Sequence, residues 1–420
     1  MPIVRADMRQ KGRAFGSANR AALRRKQAGA QQLPDWSAMS VRVEVRPEVL
    51  EWALDRARVP DDARSRIEHL DEWLAGTQQP TLKQLEGFAQ KTHAPLGYLL
   101  LTEPPDEQLP IPDFRTVGGG DVGAPSVDLL DVIYQCQQRQ DWYRDYARTY
   151  GEPPLDFVGS ASTSTSVAQA ASRLDELLGW TEVRRAQQPA WGDALRLLRE
   201  AAEDAGVLVM ISGVVGTNTH RALDPDEFRG FALVDEFAPL VFVNGKDTKA
   251  AQVFTLVHEL AHILLGETGL SDLERGSVQN VGVEQWCNRV AAELLVPVAE
   301  LIAEFRIERP LGAELQRLAR RFGVSTLVVL LRLRDADFFD RDTFAELYDD
   351  ELERLMSFEQ SSSDGGSFYN TFPVQNSRRF LQSIISNTLE GQTLYQDAFR
   401  LTGLRKQETF DKMAEHLGVA

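Results

Sequence analysis

The sequence predicts an α+β protein that is mostly helical, with a small sheet set in the middle of the chain. Three observations predict it. Apolar residues recur at three- and four-residue spacing through most of the chain, the period of an amphipathic helix. Around residues 206–245, short β-branched and aromatic runs are bounded by Gly and Pro, the pattern of strands and a hairpin. Finally, "TLVHELAHILLG", Thr255–Gly266, is apolar on nearly every face, so it is a core helix rather than a surface one.

Composition bounds the function classes. The 420 residues are 43% hydrophobic and 26% charged, which describes a globular chain long enough for two or three domains. The net charge of −16 opposes non-specific binding to nucleic acid or to anionic lipid. No apolar run is long enough to suggest a membrane span, and no apolar signal core opens the chain, so no membrane partner is expected. Cys136 and Cys287 are the only cysteines, which excludes a disulfide framework and leads us to expect a reducing, cytoplasmic home.

Residues 1–40 read as a flexible basic arm. Eight Lys or Arg stand against Asp7 alone in residues 1–26. Residues 41–116 read as a compact helical block. Val49, Leu50, Ala53, Leu54 and Ala57 form one stripe, Gly76 stops a helix, and Pro80–Thr81 start another with Leu82, Leu85, Phe88 and Ala89. Several short helices in so few residues suggest a helix-turn-helix bundle. Residues 117–166 read as a linker and a connecting helix, with Val127, Leu130, Ile133 and Tyr134 on one side. Within it "GSASTSTS", residues 159–166, is a low-complexity link ending in Ser166, a candidate helix cap.

Residues 167–335 carry the chemistry. A helix stopped at Gly206 leads into a buried strand. Phe231–Val234 and Leu240–Val243 then read as a hairpin turning near Glu236–Pro239. A second helix follows the histidine helix from about Val283 to Leu295, and two more meet at Gly323. Residues 336–420 read as a linker and a small α-rich unit.

His258 and His262 are four residues apart on a helix, so they lie one above the other on the same side. Their ring nitrogens can converge on one Zn²⁺, and Glu259 beside them can reach a metal-bound water without ligating the metal. This is the H-E-x-x-H arrangement, in which zinc lowers the pKa of water and the carboxylate takes its proton. Two core histidines flanking a surface-seeking glutamate would instead bury three polar groups together, a costly alternative.

A third ligand must come from elsewhere. "VEQWCNRVAAELLVP" offers Glu284 and Glu293, which stand on opposite sides of a helix. The side with Cys287, Asn288, Ala291 and Leu295 is small or polar and suits packing against the histidine helix. Glu284 shares that side, whereas Glu293 reads as solvated. Cys287 is a rival ligand or a small core residue. Asn288 is a candidate for hydrogen bonding to the ligands, or a short core spacer.

"FRGFALVD", "APLVFVNGKDTKAAQVFTLVHELAHILLG" and "EQWCNRVAAELLVP" together resemble the ImmA/IrrE family of zinc metallopeptidases, over roughly residues 190–335. The resemblance implies a zincin-like peptidase domain with Glu284 as third ligand. Cys287 departs from the alanine usual there. "EWLAGTQQPTLKQLEGFA" resembles the Xre-type helix-turn-helix fused to some members, and the "GGSFYNTF" unit is similar to one in an antitoxin-like group. The resemblance thus implies a peptidase that acts on a protein partner, such as an Xre-type repressor or a cognate toxin, in a toxin–antitoxin or stress-response setting. Its rival is an antitoxin-type binding module that neutralises a toxin and represses its operon with little turnover.

DNA binding through the helical block is one of two readings. The presumed reading helix, "ARSRIEHLDEWLAG", carries Glu68, Asp71 and Glu72, and only Arg64 and Arg66 offer cations to phosphate. Residues 41–103 hold eight Lys or Arg against eleven Asp or Glu. A helical module that binds protein fits equally well, and homo-oligomerisation is left open. For the chemistry, an extended substrate is expected to add to Leu240–Val243 or its hairpin partner, with His220 or Arg229 as candidate oxyanion donors.

Overall fold

The computed structural model describes residues 42–113, 125–187, 191–271, 281–358 and 367–419. The expected basic arm lies outside the described residues. The chain divides into two compact units, Met1–Asp106 and Glu107–Ala420.

The first unit holds α1 (Pro47–Arg56), α2 (Asp61–Arg64), α3 (Leu70–Leu74) and α4 (Leu82–Thr92). The stripe Val49, Leu50, Ala53 and Leu54 is buried against Leu70, Trp73, Leu85 and Phe88. Thr81 caps α4 with a reciprocal bond to Gln84, as Pro80–Thr81 led us to expect. The presumed reading helix is corrected. His69 adopts a left-handed φ of 64°, so that segment is two short helices rather than one.

The second unit is a small sheet between two helical layers, an α+β fold that is mostly helical. α5 (Val127–Thr149), α6 (Val167–Leu178), α7 (Trp180–Gln187) and α8 (Trp191–Asp204) precede the strands. β1 (Leu208–Ser212), β4 (Gly230–Leu233), β5 (Leu240–Asn244) and β6 (Gly269–Ser271) form one sheet in the order β1-β5-β4-β6. β1 is parallel to β5, and the other pairs are antiparallel. β2 (Val214–Val215) and β3 (Asn218–Ala222) make a separate ribbon. The expected hairpin is β4–β5, and Asp235 Oδ1 fixes its turn by accepting from the Phe237 and Ala238 N–H groups.

β1 and β5 are buried on both faces, which is why they read as unbroken apolar runs rather than alternating ones. Val209, Ile211, Val241 and Val243 face α9 (Lys249–Leu265), the histidine helix, and α10 (Val281–Leu295) packs beyond it in the same core. α11 (Val298–Glu304), α12 (Leu311–Phe322), α13 (Thr326–Asp335) and α14 (Arg341–Phe358) complete that layer. Leu208, Met210, Leu240 and Phe242 face the other way, onto α5, α15 (Phe368–Asn376), α16 (Arg378–Leu389), α17 (Tyr395–Thr402) and α18 (Gln407–Leu417). The expected connecting helix and C-terminal unit are therefore built into one core with the sheet. Tyr134, placed by periodicity on the apolar side of α5, is instead exposed.

One buried carboxylate ties the C-terminal helices to α8. Glu203 Oε1 accepts from Ser377 Oγ at 2.6 Å and from the Arg378 N–H at 2.7 Å, capping α16, while Oε2 accepts from Arg199 at 2.8 Å. Burial raises the Glu203 carboxyl above its ordinary pKa, against the lowering effect of Arg199 and these donors. A raised folded-state pKa means that the group favours folding at low pH and loses that contribution as pH rises through the folded value. Glu203→Ala is expected to cost about 3 kcal/mol in urea unfolding, because Arg199 and the helix end lose their partner together. Glu203→Gln should remove the pH dependence that this carboxyl contributes.

Candidate active site

Sequence alone makes α9 a buried helix, and its ends are fixed by local chemistry. Thr248 Oγ1 accepts from the Ala251 N–H at 3.1 Å, and Gly266 ends the helix with a φ of 75°. The "GSASTSTS" link is no passive spacer. The N–H groups of Gly159 and Ala161 donate to the Ile263 and Leu264 carbonyls, satisfying acceptors that a helix end leaves unbonded. Trp286 Nε1, on α10, donates to the Thr165 carbonyl at 2.8 Å. The link therefore clamps both helices that carry the site. Gly159 and Gly266, whose backbones meet, were the signal available in the sequence.

The structure brings His258, His262 and Glu284 together. The two Nε2 atoms are 3.1 Å apart. Glu284 Oε2 lies 3.2 Å from His258 Nε2, and Oε1 lies 3.1 Å from His262 Nε2. Both histidines are fully buried, and Glu284 is 1% exposed. Ligand atoms roughly 2.0–2.1 Å from a tetrahedral zinc stand about 3.3 Å from one another, so these spacings fit one ion.

The donor chemistry agrees with that fit. Two imidazoles with both Nε2 protons turned toward Glu284 would set N–H against N–H, and two bare nitrogens would set lone pairs against a carboxylate. A cation at the common point removes either repulsion. Burial lowers the pKa of His262 and so favours the neutral imidazole that binds metal. Burial alone would raise the Glu284 carboxyl, but the two imidazoles outweigh it and hold it at about 2.

Glu259 is fully buried, not surface-seeking, and stands outside the convergent trio. Its Oε1 lies against the backbone of β4 at Gly230. A Cβ there would come within 2.6 Å of Thr255 Cγ2, 2.9 Å of the Phe242 carbonyl and 3.0 Å of Glu259 Oε1. Glycine at 230 lets strand and carboxylate approach this closely, and sequence reasoning missed it.

The remaining expectations divide. Asn288 stands one turn after Glu284, with its Oδ1 buried and lacking a hydrogen-bond partner among the described residues. Cys287 is a buried core residue outside the trio. Burial first, then Glu284 and Glu259, push its thiol well above the ordinary range. Glu293 is corrected: it is ion-paired with the buried Arg332, not solvated, and so helps to hold α13 to α10. Arg229 sits beside Asp247, with Nη1 3.6 Å from Oδ2, and His220 lies exposed on β3. Neither belongs to the trio.

The expected cleft edge is also corrected. β5 lies between β1 and β4, and β4 lies between β5 and β6, so neither is an edge. The outer side of β6 is itself engaged, since the Leu270 N–H donates to the Pro112 carbonyl at 3.0 Å.

Residues 202–334 match the IrrE N-terminal-like domain, a peptidase family. That stretch holds the sheet, α9 and α10, and thus the whole trio. Residues 376–416, within the C-terminal helices, match a domain of unknown function, DUF8813. The chain is also 38% identical over 102 residues to the radiation response metalloprotease IrrE of Deinococcus deserti, a stretch of 23% of this chain. The match spans 36% of that relative's length. The site-bearing segment is thus similar to metallopeptidases, a class whose metal is typically zinc. Among the described residues, no helix is long and apolar enough to cross a membrane.

The candidate DNA contacts are held within the first unit. Arg64 donates to the Val59 carbonyl at 2.8 Å and to Asp55 at 2.7 Å, and Arg66 donates to Asp62 at 3.2 Å.

Two outcomes follow. Glu284→Gln is expected to lose stoichiometric zinc, read by metal analysis of the purified protein, while far-UV circular dichroism stays unchanged. Gly230→Ala is expected to keep zinc but to lose about 1–3 kcal/mol of stability, because Thr255 and Glu259 must move.

Proposed function

We propose that this protein is a zinc-dependent metalloendopeptidase that acts on a protein partner, such as an Xre-type repressor or a cognate toxin. The observation that carries it is the trio of His258, His262 and Glu284 at mutual spacings of 3.1–3.2 Å, with Glu259 buried beside it. A purely structural metal site has no need of that second carboxylate.

The chain's own residues divide the work. His258 and His262 present neutral donors from one rigid helix, and Glu284 supplies a negative charge from the next. The bound ion would polarise a scissile carbonyl and acidify a water molecule. Glu259 would accept that water's proton on a carboxylate oxygen and return it to the leaving amine. Gly230 leaves room for Glu259 to sit against β4. Val257, Leu260, Ala261, Val290 and Ala291 form the surrounding apolar core, which keeps bulk water away and strengthens every charge interaction inside.

We read the N-terminal unit as a protein-binding module. Its Arg64 and Arg66 are paired with acids, and no helix in "ARSRIEHLDEWLAG" exceeds five residues.

One observation favours the second reading, an antitoxin-type module that holds a toxin without turnover. The trio and Glu259 are almost wholly enclosed, and the sheet edge at β6 is covered by the chain itself. Glu259→Gln separates the two. For a peptidase, the variant keeps its zinc, loses about 10²–10⁴-fold in cleavage rate and co-purifies with the uncut partner. If toxin neutralisation persists undiminished in that variant, the peptidase reading fails.

A further inference from the structure

The layer of helices on the far side of the sheet holds a buried cation with no counter-charge among the described residues. Arg139, on α5, is 6% exposed. Its Nε donates to the Leu401 carbonyl at 3.0 Å, and its Nη1 meets only the Met210 thioether at 3.4 Å, a weak acceptor. Among the described residues, no carboxylate lies within ion-pair distance of it. The one acidic group beside it is the Cys136 thiol. Burial pushes that thiol up to about 12 despite the nearby guanidinium, so it carries no charge at neutral pH.

Among the described residues, every other strongly buried arginine behaves differently. Arg184 pairs with Glu300, Arg199 with Glu203, and Arg332 with Glu293 and Asp335. A guanidinium taken out of water without a partner costs several kcal/mol. An arginine keeps its proton, so a negative charge beside it lowers that cost more than a neutral acceptor does.

The structure offers a place for one. Arg139 lines a cavity of ≈ 10 Å³, together with Gln135, Ser212, Gly216, Gln375 and Asn376. That is room for one water-sized particle and too little for a phosphate or a carboxylate ligand. Its polar lining is neutral. The amides of Gln135 and Gln375 can each turn an NH₂ toward an occupant, Asn376 Nδ2 keeps one proton beyond its bond to the Phe372 carbonyl, and both glutamines are only half-buried, so they can shift to admit a slightly larger one.

We propose that Arg139 and these amides bind a single small monovalent anion, chloride in the cell. The ion would sit where α5, β1 and α15 meet, and Arg139 also holds the end of α17 through Leu401. It therefore joins the C-terminal helices to the sheet, on the face opposite the metal trio. The site stands whether or not the chain is a peptidase.

Bromide tests it directly. Crystals of the full chain soaked in sodium bromide are expected to show an anomalous peak within roughly 3.5 Å of the Arg139 guanidinium. Ordered density there without a bromine signal means water, and overturns the proposal. In solution, thermal unfolding is compared in sodium chloride and in sodium gluconate at equal ionic strength. At chloride near ten times its Kd, the folded-to-unfolded ratio should rise about tenfold. Arg139→Met, which removes the buried charge, should lose that dependence. An equal chloride effect in both proteins sinks the proposal. Should the variant fail to fold, the bromide peak in the natural protein still decides.

Discussion

Everything at the candidate site depends on one constraint: a helix that is apolar all round carries polar groups into a dry core. His258, Glu259 and His262 lie on α9 where the sheet, α8 and α10 enclose it. In so low a dielectric, a polar group left without a partner costs far more than at the surface. The structure meets part of that cost by swinging Glu284 in from α10. If both imidazoles donate to Glu284, their Nε2 protons face each other across 3.1 Å. A cation at the common point of the three groups would relieve that repulsion, and their mutual spacing fits one.

Rigid support follows from that constraint. Ligands set about 3 Å apart are useful only if the helices that bear them do not slide. The segment 159–165 bonds to the end of α9 and to Trp286 on α10. Arg332 joins Glu293 of α10 to α13. On the far face, Glu203 binds the start of α16 to α8. The sheet is thus held from both sides, and the helices beyond the matched peptidase segment are part of what keeps it packed against α9.

The sequence made the chemistry more legible than the architecture. The spacing of His258 and His262 reports a helix face directly, and the opposite placement of Glu284 and Glu293 follows from the same period. The β4–β5 hairpin was legible because its apolar runs are short and bounded by turn residues. What stayed hidden depends on contacts far apart in the chain. Nothing local shows that β6 caps β4, that Pro112 lies against β6, or that residues 127–149 and 368–417 share one apolar layer. Composition made "GSASTSTS" look like slack chain, because small polar residues serve equally as linkers and as backbone donors. The short helices of the first unit escaped for a different reason. His69 is left-handed where Leu70 and Trp73 are buried in the core, and histidine has no strong propensity to break a helix that would have marked the position.

Access is the last question the fold raises. A peptidase must admit an extended chain beside its general base, and zero exposure at Glu259 means that some segment has to move. The sheet core cannot be that segment, since β5 and β4 are buried and each is paired on both sides, and β1 is buried on both faces. β6 can, because only three residues hold it to β4, and it stands directly after the helix that bears the histidines. Its Ser271 pairs with Gly230, the same glycine that gives Glu259 its room. Opening at β6 would uncover the strand against which the carboxylate rests while leaving the trio gripped by α9 and α10. On the peptidase reading, metal binding would then fall to α9 and α10 and substrate entry to β6, so that the first would persist while the second opens.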